Sequence, residues 1–362
     1  MGEKKNAIEF WRFIFAIAIV AMHFNETFQN KAYGEVCTGF FPGAGLGVDF
    51  FFILSGFLMF SSYQRNEANA TIATPAKFIW KKICSFKNEY FIAFFLLFTY
   101  NFIYKANFSS IITALKTVGE QLFQYKWELL MLHMSEFGQK IYINYPTWYI
   151  SVMLIGIYFS YAILFLNKRF FIHIFVPLVI FVCGGFLANT NGTSLLWYEY
   201  NGLFNTGWIR CMMDIAIGCL AWEGYTYLSQ HMSRKKEIFL TVLELFCISR
   251  LIYVIYTHKN GRDDFWDTFM FAILIMISFL NVTFIDKVLD NRFSAFLGKL
   301  SLPVYLNQAL IIGICVDYFD IHISFSRALI ITIGAVIIGA LVIKVVSEYI
   351  ISLIFRHVSK SH

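Results

Sequence analysis

The chain has 362 residues, 58% of them hydrophobic and 19% aromatic, with 42 Phe and only 5 Pro. Charged residues make up 14%, against about 25% in a soluble globular domain, so a soluble enzyme, a disordered chain and a nucleic-acid-binding protein are excluded. The net charge of +6, from 29 Lys+Arg against 23 Asp+Glu, is read in so apolar a chain as a topology signal.

A membrane-crossing helix needs about 20 mostly apolar residues. Runs of that kind cover 7–24, 45–63, 88–104, 147–166, 170–188, 207–225, 237–256, 267–285, 300–319 and 325–355. The expectation is an all-α integral membrane protein with about ten transmembrane helices. Runs such as Phe91–Phe98 do not alternate, which argues against a β-barrel. With the amino terminus inside, seventeen Lys and Arg fall on inner segments, eight on outer ones and four, Arg12, Arg210, Arg250 and Lys344, within spans. That bias predicts that both termini are cytoplasmic. Lys4 and Lys5 precede the first run and no A-x-A site follows, the pattern of an uncleaved signal anchor. The seven Cys, at 37, 84, 183, 211, 219, 247 and 315, form no C-x-x-C pair. They read as small buried hydrophobes, with neither a disulfide framework nor a metal site.

In chain order, the first span holds Arg12 and His23, 11 residues apart. At 100° per residue both fall on one face, about 16 Å apart along the axis. Ionisable groups inside a membrane are site candidates. Arg12 as a snorkelling cation and His23 as a hydrogen-bonded helix end fit the same spacing. Asp49 opens the second span at the depth of His23. It is placed either to orient that imidazole or to satisfy N–H groups at its own helix start. Ser55 and Gly56 form a small-residue notch for helix packing.

A basic cluster, Lys77, Lys81, Lys82 and Lys87, follows in what reads as an inner loop over 64–87. It suits anionic lipid or a cytoplasmic polyanion. The outer segment from Lys105 to Pro146 carries an amphipathic stretch, Phe108–Met134, read as interfacial or re-entrant. On the sixth span Arg210 and Asp214 stand four residues apart and are expected to pair. No internal repeat, low-complexity tract or soluble domain interrupts the chain, which reads as one membrane domain over 1–362.

These pieces together resemble the acyltransferase family 3 membrane proteins, a family that includes bacterial O-acetyltransferases of surface polysaccharides. The resemblance rests on R-x10-H at Arg12 and His23, G-V-D-F-F-F-I-L-S-G-F over 47–57, T-W-Y-I-S-V-M-L over 147–154, G-W-I-R over 207–210 and L-G-K-L-S-L-P-V-Y-L-N over 297–307. The ten-span layout of the family agrees with the ten apolar runs. Two of its motifs are altered here. Lys82 and Ser85 stand where the family often has an R-x-x-R pair, and Gln308 stands where its late motif ends in His.

The resemblance implies transfer of an acyl group, acetyl above all, from cytoplasmic acyl-CoA to a hydroxyl of a cell-surface glycan or its lipid-linked precursor. The setting it implies is a multi-pass protein of the bacterial inner membrane. Acetyl-CoA is then a co-substrate, with no tightly bound cofactor and no metal required. The family's activity-linked residues carry over to Arg12 and His23. His23 would be the general base, oriented by Asp49, and Arg12 would hold the donor or help a developing oxyanion. Lys81, Lys82 and Arg210 would help hold the CoA phosphates. Alternatives of another class are a secondary transporter and a flippase-like component of polysaccharide assembly. Against a transporter stand the absence of a repeat and the scarcity of Pro.

Overall fold

The computed structural model describes residues 5–33, 41–69, 71–105, 111–135, 141–189, 205–257, 264–319 and 323–358. Of the residues singled out above, Lys4, Cys37 and the end of the outer segment over 136–140 lie outside them, as do residues 106–110 at its start. All regular elements among the described residues are helices. In chain order they are α1 (Asn6–Tyr33), α2 (Gly47–Ala68), α3 (Pro75–Lys105), α4 (Ile111–Gln124), α5 (Lys126–Leu129), α6 (Trp148–Leu166) and α7 (Lys168–Phe170). A π-type turn over Phe171–Phe175 leads into α8 (Val176–Asn189), and α9 (Thr206–Gln230), α10 (Arg234–Thr257), α11 (Asp264–Leu280), α12 (Phe284–Leu289), α13 (Arg292–Tyr318) and α14 (Phe325–Val358) follow.

Seven of these stretches are long and apolar enough to cross a membrane: Asn6–Lys31, Ala44–Ala68, Tyr145–Leu166, Lys168–Asn189, Arg234–Thr257, Arg292–Tyr318 and Phe325–Leu353. Phe265–Leu280 is a shorter apolar helix. The chain is therefore an all-α membrane protein. The other two predicted runs lie on α3 and α9, which interrupt their apolar surface with Lys77, Lys81, Lys82 and Glu89, and with Arg210, Asp214 and Glu223.

Three local expectations change. The inner loop over 64–87 is mostly helix: α2 runs on to Ala68 and α3 starts at Pro75. Proline's fixed φ suits a first helical turn, and the Thr74 hydroxyl accepts the N–H of Lys77 at 3.5 Å. The basic cluster therefore rides on the amino-terminal turns of α3. The run over 267–285 breaks at Asn281, whose φ is +55°, and restarts where Thr283 Oγ accepts the N–H of Asp286 at 3.1 Å to cap α12. In the run over 170–188, Pro177 lacks the N–H that would pair with the His173 carbonyl, and the widened turn just before it accommodates the loss.

The chain divides into two compact units. The first comprises Met1–Met22, Thr38–Lys81 and Val152–Lys299. Its centre is α2, which is buried along most of its length. Phe50, Ile53 and Phe57 of α2 pack with Met213 and Ile217 of α9 and with Phe271 and Ile275 of α11. The two helices α2 and α9 meet through glycine on both sides. A Cβ at Gly56 would fall on the carbonyl of Ile215, and one at Gly218 on the carbonyl of Ile53. In lipid, where apolar burial gives little drive, such close approach supplies van der Waals contact. The notch expected at Ser55 and Gly56 is present, and Gly218 is its counterpart.

The second unit comprises His23–Cys37, Lys82–Ser151 and Leu300–His362. Phe24 of α1 packs on Phe325 of α14 with ring centroids 5.7 Å apart. The Lys344 ammonium reaches the Glu89 carboxylate at 2.7 Å, tying α14 to α3. The Asn307 amide of α13 donates to the Val336 carbonyl of α14 at 3.0 Å. Elsewhere α14 turns exposed Ile330, Ile338, Val342 and Val345 outward, the apolar surface a helix shows to lipid.

Candidate active site

α1 is unbroken from Asn6 to Tyr33 and carries both Arg12 and His23. Within the first unit, Arg12 donates from Nη1 to Glu9 Oε2 at 2.7 Å, one turn back on the same helix. Its side chain keeps 31% of its exposure, while Glu9 is buried. A Cβ at Gly298 would strike the Glu9 side chain, so the start of α13 holds Glu9 and, through it, one edge of the guanidinium.

Asp49 opens α2 and is fully buried. Its Oδ1 forms an ion pair with Nε of Arg210, and the Nη2 of Arg210 donates to the Gly45 carbonyl at 2.9 Å. Two sequence expectations are corrected here. Asp49, expected either to orient the imidazole or to satisfy its own helix start, pairs with a guanidinium, and Arg210 pairs across helices to Asp49 where the same-helix Asp214 was expected. Asp214, one turn along α9, interacts electrostatically with both. The physical reason is stoichiometric. A cation sealed from water needs a carboxylate in contact, and the glycine contacts of α2 and α9 bring Asp49 within reach. Arg210 is 1% exposed, with Nε on Asp49 and Nη2 on the Gly45 carbonyl, so it braces the helix pair.

In the second unit, His23 is partly exposed. Its Nδ1 lies 3.0 Å from Oε1 of Gln308 on α13, and the Tyr145 ring packs edge-on at 4.9 Å between centroids. Gln308 is fully buried and donates from Nε2 to the Tyr305 carbonyl at 2.9 Å. Tyr305 in turn donates its hydroxyl to the Pro146 carbonyl at 2.5 Å, and the Asn144 amide donates to the Leu306 carbonyl at 2.9 Å. The 305–308 turn of α13 is thus tied to the segment that carries Tyr145.

That segment is the carboxyl-terminal part of the outer stretch expected to be interfacial or re-entrant. It folds as a compact turn in which Met131 takes a φ of +58°. Glu128 of α5 is 0% exposed. It accepts the N–H of Ile143 at 2.7 Å through Oε2 and that of Asn144 at 3.0 Å through Oε1. The Thr147 hydroxyl lies 3.4 Å from the same Oε1 and 3.3 Å from His133 Nε2. Burial raises the Glu128 carboxyl to about 7 against the pull of those three hydrogen bonds. Burial also lowers His133 to about 3, and burial with the nearby Glu128 charge raises Tyr142 to about 12. Sequence reading did not find Glu128, since a lone Glu in an amphipathic stretch looks solvated. It noted Gln308 only as a departure from a pattern.

Lys81 is exposed and Lys82 partly so, beside the exposed Trp80 on α3. Lys77 and Lys81 stand four residues apart, on one face of that helix.

Among known proteins, the family model described as an acyltransferase domain matches residues 5–345. No curated protein and no solved structure is significantly similar to the chain. A match over nearly the whole length, on a helical membrane protein with Arg12 and His23 in its first helix, makes the chain a membrane acyltransferase belonging to acyltransferase family 3.

Proposed function

We propose that the protein transfers an acyl group, in the first place acetyl, from cytoplasmic acyl-CoA to a hydroxyl of a cell-surface glycan or its lipid-linked precursor, in the inner membrane of a bacterium. The observation that supports this most is His23, an imidazole held through Nδ1 in a helix that the family match covers. A positioned imidazole is the commonest general base for a hydroxyl nucleophile. As the acceptor oxygen attacks the acyl carbonyl carbon, His23 takes the hydroxyl proton. The C–S bond then breaks, and the same proton passes to the departing thiolate. Arg12, a cation that stays charged, would hold and position the donor, about 16 Å along α1 from His23. Lys81 and Lys82 would meet the CoA phosphates.

This reading includes ten crossings with both termini cytoplasmic, supported by the Lys and Arg bias, and one acyltransferase domain over residues 1–362. The test is incubation of purified protein with labelled acetyl-CoA and a panel of glycan acceptors. Label should pass to an acceptor with wild-type protein and not with His23→Ala, and both proteins should express and insert equally. Turnover by His23→Ala within about tenfold of wild type would remove the general-base role, since such groups contribute roughly 10²–10⁴-fold.

A further inference from the structure

We infer that Gln308 is a positioning residue that holds the His23 imidazole in its Nδ1–H tautomer, so that Nε2 is the atom that accepts the hydroxyl proton. This deepens the acyl-transfer reading and rests on it for the chemistry, but not for the tautomer.

The assignment follows from donors and acceptors alone. One end of the Gln308 amide lies 2.9 Å from the Tyr305 carbonyl. A carbonyl only accepts, so that end is the NH2 group. The other end, which faces His23 Nδ1 at 3.0 Å, is then the amide oxygen, and it too only accepts. Nδ1 must therefore carry the hydrogen. A neutral imidazole has one N–H, so the lone pair is on Nε2. The amide orientation is fixed by this network of donors and acceptors.

The restraint is stiff because each member is restrained in turn. Gln308 is 0% exposed, so its amide has no solvent-filled alternative. The Tyr305 hydroxyl is spent on the Pro146 carbonyl and the Asn144 amide on the Leu306 carbonyl. Tyr145, in the same segment, covers one side of the His23 ring. The Nε2–H tautomer would set an Nδ1 lone pair against the Gln308 oxygen, two acceptors facing each other. The proton balance is complete within the step already described. The hydroxyl proton goes to Nε2 and returns from Nε2 to the thiolate sulfur, while the Nδ1 hydrogen stays where it is. Gln308 is neutral, so it orients the ring and takes no proton.

The test combines a tautomer measurement with kinetics. Nitrogen-15 solid-state NMR of histidine-labelled wild-type protein in lipid, with His23→Ala as the subtraction spectrum, should show His23 protonated at Nδ1 and bare at Nε2. Gln308→Met, which keeps the length and loses both polar ends, should lose that preference. Its kcat should fall by on the order of ten- to a hundredfold, as for other groups that orient a functional imidazole, with KM for acetyl-CoA unchanged. Gln308→His, which restores one donor and one acceptor, should recover part of the kcat. An Nε2–H signal for His23 in the wild type would overturn the inference, as would a wild-type kcat in Gln308→Met. Should wild-type protein transfer nothing to any acceptor, the acyl-transfer reading fails while the spectrum still decides the tautomer.

Discussion

Asp49 on α2 and Arg210 on α9 form an ion pair with side chains 0% and 2% exposed. The pair lies about two helical turns from Gly56 and Gly218, where the two backbones are in close contact. Removing one charge from a buried pair leaves the other uncompensated, at a cost of about 3–5 kcal/mol. Asp214 still faces Arg210, which puts Asp49→Asn near the lower end. The expected outcome is a lower unfolding temperature in detergent with near-unchanged kcat in the fraction that folds. Thermal unfolding and turnover measured on the same preparation check this. An unchanged melting temperature with a lost kcat would return Asp49 to the chemistry.

The glycine pair gives a sharper structural prediction. Gly218→Ala places a methyl on the Ile53 carbonyl, and backbone cannot yield as a side-chain tip does. The helices must separate, at a cost of about 1–3 kcal/mol. Gly185 of α8 has open space around the same position, so Gly185→Ala should be neutral or stabilising by about 0.5–1 kcal/mol through helix propensity. Opposite signs from two identical substitutions, read as unfolding temperatures, would establish that the contact and not the residue type matters.

Much of the helical layout is legible in sequence because apolar run length and lipid thickness constrain each other. Each of the ten runs falls mostly on helix, with a break at Asn281 in the run over 267–285. The packing notch at Ser55 and Gly56 is legible for the same local reason. Pairing is not. Arg210 and Asp214 satisfy a same-helix rule, yet the ion pair that forms joins residues 161 positions apart. Gln308 and His23 are 285 positions apart. Such contacts depend on how helices are registered against each other, and no local periodicity encodes that. Glu128 was hidden because its burial comes from the turn that follows it, whose backbone N–H groups at Ile143 and Asn144 become its partners.

Glu128 gives a pH dependence with a defined sign. Its carboxyl is raised from 4.5 to about 7 by burial, so the folded protein keeps the proton where the unfolded chain has released it. Stability is then highest below the unfolded value and falls as pH rises toward about 7, levelling off above it. A shift of that size corresponds to about 3 kcal/mol across the window. Glu128→Gln removes the titration, though it also loses one acceptor for the Ile143 and Asn144 N–H groups. The variant should be less stable than wild type at pH 5 and should lose less stability on going to pH 8. Unfolding temperatures at the two pH values give the comparison, and parallel curves would assign the slope to other groups.

The basic turn of α3 separates binding from chemistry. Lys81 and Lys82 lie on the amino-terminal part of the helix, beside exposed Trp80. Neutralising both, as Lys81→Ala with Lys82→Ala, should raise KM for acetyl-CoA several-fold and leave kcat unchanged, the pattern of lost uniform binding. The effect should shrink at high salt, because exposed charges are screened over about 8 Å at physiological ionic strength. An unchanged KM would mark these lysines as lipid anchors.

Arg12 is the residue whose two readings differ most in kinetics. Its Nη1 is held by Glu9 at 2.7 Å, and its side chain keeps about a third of its exposure. Arg12→Lys keeps the positive charge and its reach toward Glu9. It loses the planar fork, which can hold a carboxylate with one edge and offer donors with another. A cation that only snorkels to headgroups would be replaced by Lys without loss, since both side chains carry their charge on a long apolar stem. A cation that grips and positions the acyl donor would not, because Lys loses the planar edge that fixes the donor's orientation. Misplacing a reacting group by about 1 Å can cost on the order of 10²-fold in kcat. The expected outcome is therefore a kcat loss of that order in Arg12→Lys, with folding and KM for acetyl-CoA close to wild type. Glu9→Gln is the companion variant. It frees the guanidinium from its carboxylate and should lower kcat less than Arg12→Lys does, since the fork itself remains. Wild-type kinetics in Arg12→Lys would leave His23 as the sole residue of α1 in the chemical step.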